Sequence, residues 1–162
     1  MTLHLSADEI LEIAQRIEQN GARFYRRAAE LQKDENKSKL LLQLARMEDE
    51  HERIFLKIQD DLTEEERSQK AADPFGEMKM YLSAMADTSG GEGSPAAVEA
   101  LTGQESIGEI LKKAIELEKE SILYYIGLKD VVPGQLSKKN IEKIIEEEKS
   151  HIILLKKELD AL

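Results

Sequence analysis

Cysteine and tryptophan are absent from the 162 residues, proline occurs three times, and aromatic residues make up only 4% of the chain. Each shortage excludes something. Without cysteine there is no disulfide, no cysteine-ligated iron–sulfur cluster and no four-cysteine iron site. With so few aromatic residues and so much Glu, Lys, Leu, Ala, Ile and Gln, strand material is scarce and an all-α fold is expected. No apolar run approaches the ~18 residues of a membrane-spanning helix, so no membrane association is expected. The opening MTLHLSADEI has no basic n-region, and Asp8 and Glu9 break its apolar content, which argues against a secretory signal and for a cytoplasmic location. Basic residues are outnumbered 33 to 23, a net charge of −10. Phosphate-backbone binding needs clustered Lys and Arg, so nucleic acid is not an expected partner. A chain of this length can bury one sufficient core, and residues 1–162 read as a single domain.

Boundary signals divide the chain into four long helices and a middle insertion. Ser6 with Glu9 forms a capping-box pattern ahead of the stripe Ile10, Ala14, Ile17, Gly21, Phe24, Ala28 and Leu31, a helix expected to end near Lys33. Asp34 or Asn36 can cap the second, which carries Leu41, Leu44, Ala45, Met47, Ile54, Phe55 and Ile58 to about Asp61. Ser106 with Glu109 repeats the capping box before Ile110, Leu111, Ala114, Ile115, Leu117, Ile122 and Tyr125, and Pro133-Gly134 stops that helix. Ser137 is the expected cap of the fourth, with Ile141, Ile144, Ile145, Ile152, Leu155 and Leu159 inside. Between the hairpins, residues 62–105 form a crossover insertion. It offers a capping box at Thr63 and Glu66, a helix start at Asp73-Pro74, and a Gly/Ser cluster, DTSGGEGSP, expected to be mobile.

The two halves repeat. At a constant shift of 100 residues Glu18 meets Glu118, Glu48 meets Glu148, His51 meets His151 and Tyr25 meets Tyr125. Leu11 and Ala14 likewise meet Leu111 and Ala114. The four glutamates lie on the apolar stripes, and an ionised carboxylate buried without a partner costs several kcal/mol. Heights agree as well: Glu18 and Glu48 are each 15 residues from Lys33, so at ~1.5 Å per residue the chain rises and descends equally. Pro133 is midway between Glu118 and Glu148 in the same way. A lone Glu-x-x-His arises readily on a charged helix, whereas this set has two such motifs and two further glutamates on buried, level faces. His4, by contrast, reads as a tail residue. Four carboxylates offset two divalent ions, and one imidazole per ion completes a mixed N/O shell suited to two Fe ions, with Mn possible. The expected metal ligands are therefore Glu18, Glu48, His51, Glu118, Glu148 and His151.

On IEQNGARFYRRAAE, MEDEHERIF, AIELEKESILYY and IIEEEKSHI the chain resembles the stand-alone di-iron domain of the rubrerythrin branch of the ferritin-like superfamily. That resemblance implies a ferritin-like four-helix bundle of two αα-hairpins, with a long crossover containing short helices. It also implies a di-iron centre in which Glu48 and Glu148, as bridging ligands, are the catalytic candidates. The implied activity is reduction of hydrogen peroxide or dioxygen, in a homodimer or small homo-oligomer. Rubrerythrins join such a domain to a four-cysteine rubredoxin module; lacking cysteine, this chain would draw electrons from an external donor such as a rubredoxin-like protein, or from ferrous iron. They also carry an extra glutamate one turn beyond the third-helix ligand, where Ser121 stands here. The six-residue set is in this respect closer to bacterioferritin, and ferroxidase or iron-storage activity is the alternative.

Three further residues are candidates to support the ligands. Tyr25 and Tyr125 each lie two turns from a ligand glutamate, and a buried hydroxyl needs a partner. Glu147 precedes Glu148, whereas Met47 precedes Glu48, so Glu147 is expected to accept a hydrogen bond from His51 while His151 finds no equivalent carboxylate.

Overall fold

The computed structural model describes residues 6–68, 76–88 and 96–162. His4, the Asp73-Pro74 start and residues 89–95 of the Gly/Ser cluster lie outside them. The described residues form seven helices and no strand: α1 (Ala7–Glu30), α2 (Glu35–Asp60), α3 (Glu64–Ser68), α4 (Glu77–Thr88), α5 (Ala96–Glu99), α6 (Ile107–Val131) and α7 (Gln135–Asp160). The four long ones pair as antiparallel hairpins, α1 with α2 and α6 with α7; α1 also meets α6, and α2 meets α7.

Helix starts follow local chemistry. The backbone N–H of Ser6 donates to Glu9 Oε2 at 2.7 Å and that of Glu9 to Ser6 Oγ at 3.2 Å, satisfying two N–H groups that have no partner within the helix. Ser106 and Glu109 repeat the arrangement at 2.9 and 3.1 Å. Asp34 caps α2 by accepting from the backbone N–H groups of Asn36 and Lys37. The start of α7 differs from the expected Ser137 cap. The helix begins three residues earlier, after Gly134, whose φ of 90° lies where other residues are strained and which supplies no side chain to cap with. In the crossover, Thr63 and Glu66 form the expected capping box before α3. Helix α4 continues through Asp87 and Thr88, expected to belong to the loop, and α5 had no counterpart among the expected elements.

The core divides into two apolar clusters. One contains Ile10, Leu11 and Ala14 of α1, Phe55 and Ile58 of α2, Tyr124, Tyr125 and Leu128 of α6, and Ile141, Ile144 and Ile145 of α7. The other contains Phe24, Tyr25 and Ala28, then Leu41, Leu44 and Ala45, then Ile110, Leu111 and Ala114, and finally Leu155. On every long helix one buried glutamate falls between the two clusters: Glu18, Glu48, Glu118 or Glu148. The bundle is thus two oily halves with a charged layer between them.

The crossover is fastened to α6 at a glycine. Tyr81 of α4 donates its hydroxyl to the carbonyl of Leu123 at 2.6 Å, and Leu82 is buried. A Cβ placed on Gly127 would meet the Tyr81 ring at 2.7 Å and Leu82 at 2.9 Å. Overpacking of this kind costs typically ~1–3 kcal/mol. Gly127→Ala is therefore expected to loosen α4, lowering the melting temperature and speeding proteolysis of the crossover; a variant that melts and resists protease like the parent would contradict this seating.

Candidate metal centre

Glu18 is delivered by α1, Glu48 and His51 by α2, Glu118 by α6, and Glu148 and His151 by α7. All six are buried at 3% exposure or less. They fall into two groups, Glu18, Glu48, His51 and Glu148, and Glu48, Glu118, Glu148 and His151. Within each group one ligand atom per residue lies within 4.8 Å of the others. Glu48 and Glu148 belong to both. The structure thus gathers the six sequence candidates into overlapping halves related by the 100-residue shift.

The two imidazoles stack at 5.7 Å with 17° between their planes. Nδ1 of His51 faces Glu148 Oε1 at 3.2 Å and Glu18 Oε2 at 3.5 Å. Nδ1 of His151 faces Glu148 Oε2 at 2.9 Å, Glu118 Oε1 at 3.3 Å and Glu48 Oε1 at 3.4 Å. The tyrosines cross between hairpins: Tyr25 of α1 donates its hydroxyl to Glu118 Oε1, and Tyr125 of α6 donates to Glu18 Oε1. Each tyrosine thereby fixes one oxygen of a glutamate on the opposite hairpin. Glu147, half-buried at the edge, lies with Oε2 2.8 Å from Nε2 of His51. Ser121 donates to its own helix, at the carbonyl of Leu117, and brings no carboxylate to the cluster.

Electrostatics show what is costly here. Burial, reinforced by Glu148, raises Glu18 to about 6. Burial together with Glu118 and Glu48 raises Glu148 to about 8. Glu48 lies well above the carboxylate range through burial and the charges of Glu18 and Glu118. Glu118 runs the other way: burial would raise it, but contacts from His151 and Tyr25 bring it below its ordinary value. Burial opposes the charged form of both histidines, yet the carboxylates around them carry His51 up to about 12 and His151 upward as well. Burial and neighbouring carboxylates push both tyrosines well above their ordinary range, so their hydroxyls remain donors.

The donor set fits metal ions. Glu18 Oε2, Glu48 Oε1, Glu148 Oε2 and Nδ1 of His151 are buried and have no hydrogen-bond partner among the described residues, the contact of His151 with Glu148 being close but out of line. Inward-facing acceptors of this kind are expensive unless a cation completes them. Carboxylate oxygens with one imidazole per group match the requirements of iron or manganese.

A family model described as Rubrerythrin matches residues 9–89. Among solved structures the chain is similar to a ferritin-like diiron-carboxylate protein from Thermotoga maritima, with 30% identity and a TM-score of 0.73. That match covers 97% of this chain and 96% of that one. No curated protein sequence matches it. Fold and cluster together define a ferritin-like carboxylate bundle whose buried Glu/His groups fit a di-iron site. Within that class the chain belongs to the rubrerythrin family.

One residue that shapes the cluster was not singled out by sequence. A Cβ on Gly21 would come within 2.8 Å of Glu48 Oε2. The available signal was a glycine in mid-helix, which costs ~1 kcal/mol relative to Ala and therefore calls for a reason.

These shifts set the pH response of the chelator-treated chain. Glu18 and Glu148 hold protons to higher pH folded than unfolded, so their contribution is full below the ordinary 4.5 and is lost as pH rises through about 6 and about 8. His51 acts in the same direction, from the ordinary 6.5 toward about 12. The melting temperature without metal should fall between about pH 5 and about pH 8, and added divalent metal should reverse the fall. A melting temperature that climbs across this window without metal would contradict the electrostatic account.

Proposed function

We propose that this chain is a non-haem di-iron oxidoreductase of rubrerythrin type, reducing hydrogen peroxide or dioxygen with electrons from an external donor. The observation that carries the reading is the pair of buried carboxylate–imidazole groups joined through Glu48 and Glu148. In it, Glu18 and His51 would hold one ion and Glu118 and His151 the other, with Glu48 and Glu148, common to both groups, available to each. Bound iron supplies the redox capacity, two electrons and two protons turning one peroxide into two waters. The chain's residues do the rest. Tyr25 and Tyr125 orient Glu118 and Glu18 through their hydroxyls, and the two apolar clusters keep bulk water from the charged layer. No described helix is long and apolar enough to cross a membrane. A cytoplasmic location, a rubredoxin-like donor and a homodimer or small homo-oligomer complete the proposal.

Two features favour a second reading, ferroxidase or iron storage. The 162 residues hold no cysteine to relay electrons, and Ser121 stands where a rubrerythrin has an additional glutamate. Ferrous iron would then be both electron source and cargo. Anaerobic Fe²⁺ loading, followed by peroxide with and without a reduced rubredoxin-type donor, separates the two. Peroxide consumption many times the iron content, requiring the donor, supports the oxidoreductase. Fe²⁺ oxidation at a fixed ratio to oxidant, with iron accumulating in a large shell, supports storage and overturns the first reading.

Glu48→Ala and Glu148→Ala are each expected to abolish donor-dependent turnover while the helical circular dichroism persists. Each removes a carboxylate common to both groups, whereas the apolar clusters that hold the helices remain. Full peroxide turnover in either variant would contradict the bridging assignment.

A further inference from the structure

The two halves of the cluster match at all six ligand positions but not behind their histidines. On α7 the residue ahead of the Glu-x-x-His glutamate is Glu147; its counterpart on α2 is Met47. The consequence shows at the ring nitrogens turned away from the cluster. Nε2 of His51 has Glu147 Oε2 at 2.8 Å, reached from α7 across to α2. Nε2 of His151 is equally buried and has no hydrogen-bond partner among the described residues. A thioether accepts only weakly, so Met47 could not replace a carboxylate there.

This difference bears on metal affinity. A carboxylate on the outer nitrogen holds the proton on Nε2, leaves the Nδ1 lone pair directed at the ion and makes the imidazole a stronger ligand. His51 has that support. Nε2 of His151 is buried with no such acceptor among the described residues, so its ring is neither fixed in tautomer nor strengthened as a donor. Loss of such outer contacts typically weakens metal binding by about 10–100-fold.

We infer that Glu147 is a positioning residue that makes the two metal positions unequal, the position at His51 filling first and retaining its ion and the position at His151 filling second and exchanging. The inference rests on the proposed two-ion reading of the cluster. It assigns the half-loaded state a definite form, with one ion beside His51 and the exchangeable position beside His151.

Anaerobic titration of the apo chain with Mn²⁺, followed calorimetrically and by the electron paramagnetic resonance of free Mn²⁺, tests this. Repulsion between two ions would by itself give a two-step isotherm, so the variants decide. Glu147→Ala should weaken the first step about 10–100-fold and leave the second nearly unchanged. Glu147→Gln, which keeps a neutral acceptor, should fall between. Met47→Glu, which offers His151 the missing carboxylate, should tighten the second step alone. A general loss of structure would instead weaken both steps and lower the apo melting temperature. The inference is overturned if Glu147→Ala weakens both steps equally, or if neither Glu147→Ala nor Met47→Glu changes a step selectively while two ions still bind. If the parent chain binds fewer than two ions, the two-ion reading falls and the inference with it.

Discussion

Glu18, Glu48, Glu118 and Glu148 meet in the dry middle of the bundle, faced by two imidazoles, and each is almost without exposure. Four carboxylates in so small a volume repel one another and lose their hydration, which is why three of them bind protons more tightly than usual. Two divalent ions would cancel the four charges and turn the most costly layer of the core into a neutral one. The apolar clusters above and below complete the arrangement, since each excludes water from one side of that layer. Stability and site chemistry are therefore coupled: the helices converge on a layer whose charge asks for a cation.

The antiparallel hairpins are what make the layer possible. Equal lengths of chain on either side of each turn bring the paired glutamates level, and the crossover lets the second hairpin repeat the first in the opposite half of the site. Contacts between hairpins then lock the layer. Tyr25 reaches Glu118 and Tyr125 reaches Glu18, so each hairpin orients a candidate ligand of the other. At the periphery Lys37 of α2 pairs with Glu158 of α7, and Gln15, Gln59, Asp8 and Arg67 form a chain of hydrogen bonds tying α1, α2 and α3 together. The approximate two-fold relation is broken at Met47 and Glu147 and again at Gly21 and Ser121, both pairs lying next to the candidate ligands rather than among them.

Much of this was legible in the sequence because it is local or periodic. Capping boxes at Ser6 and Ser106 mark helix starts through three-residue spacings, and glutamates on apolar stripes are conspicuous because burial penalises them. The repeat at 100 residues linked sites far apart in the chain. What was not legible depends on tertiary approach. Helix α7 starts at Gln135 because the backbone turns at Gly134, not because a side chain caps it, so Ser137 misled. The closeness of Gly21 to Glu48 exists only once α1 and α2 pack, and the seat of Tyr81 on Gly127 only once the crossover folds back onto α6. The Gln15–Gln59 contact joins residues 44 apart that no spacing rule connects.

A charged layer that takes up two ions has a crystallographic signature. The most direct test is anomalous diffraction at the iron edge from crystals of the Fe²⁺-loaded chain, with the iron content of the same preparation measured. Two iron peaks per chain are expected, both enclosed by Glu18, Glu48, His51, Glu118, Glu148 and His151, with two irons per chain by analysis. Iron bound elsewhere, or an iron-free cluster in a chain saturated with Fe²⁺, would contradict it.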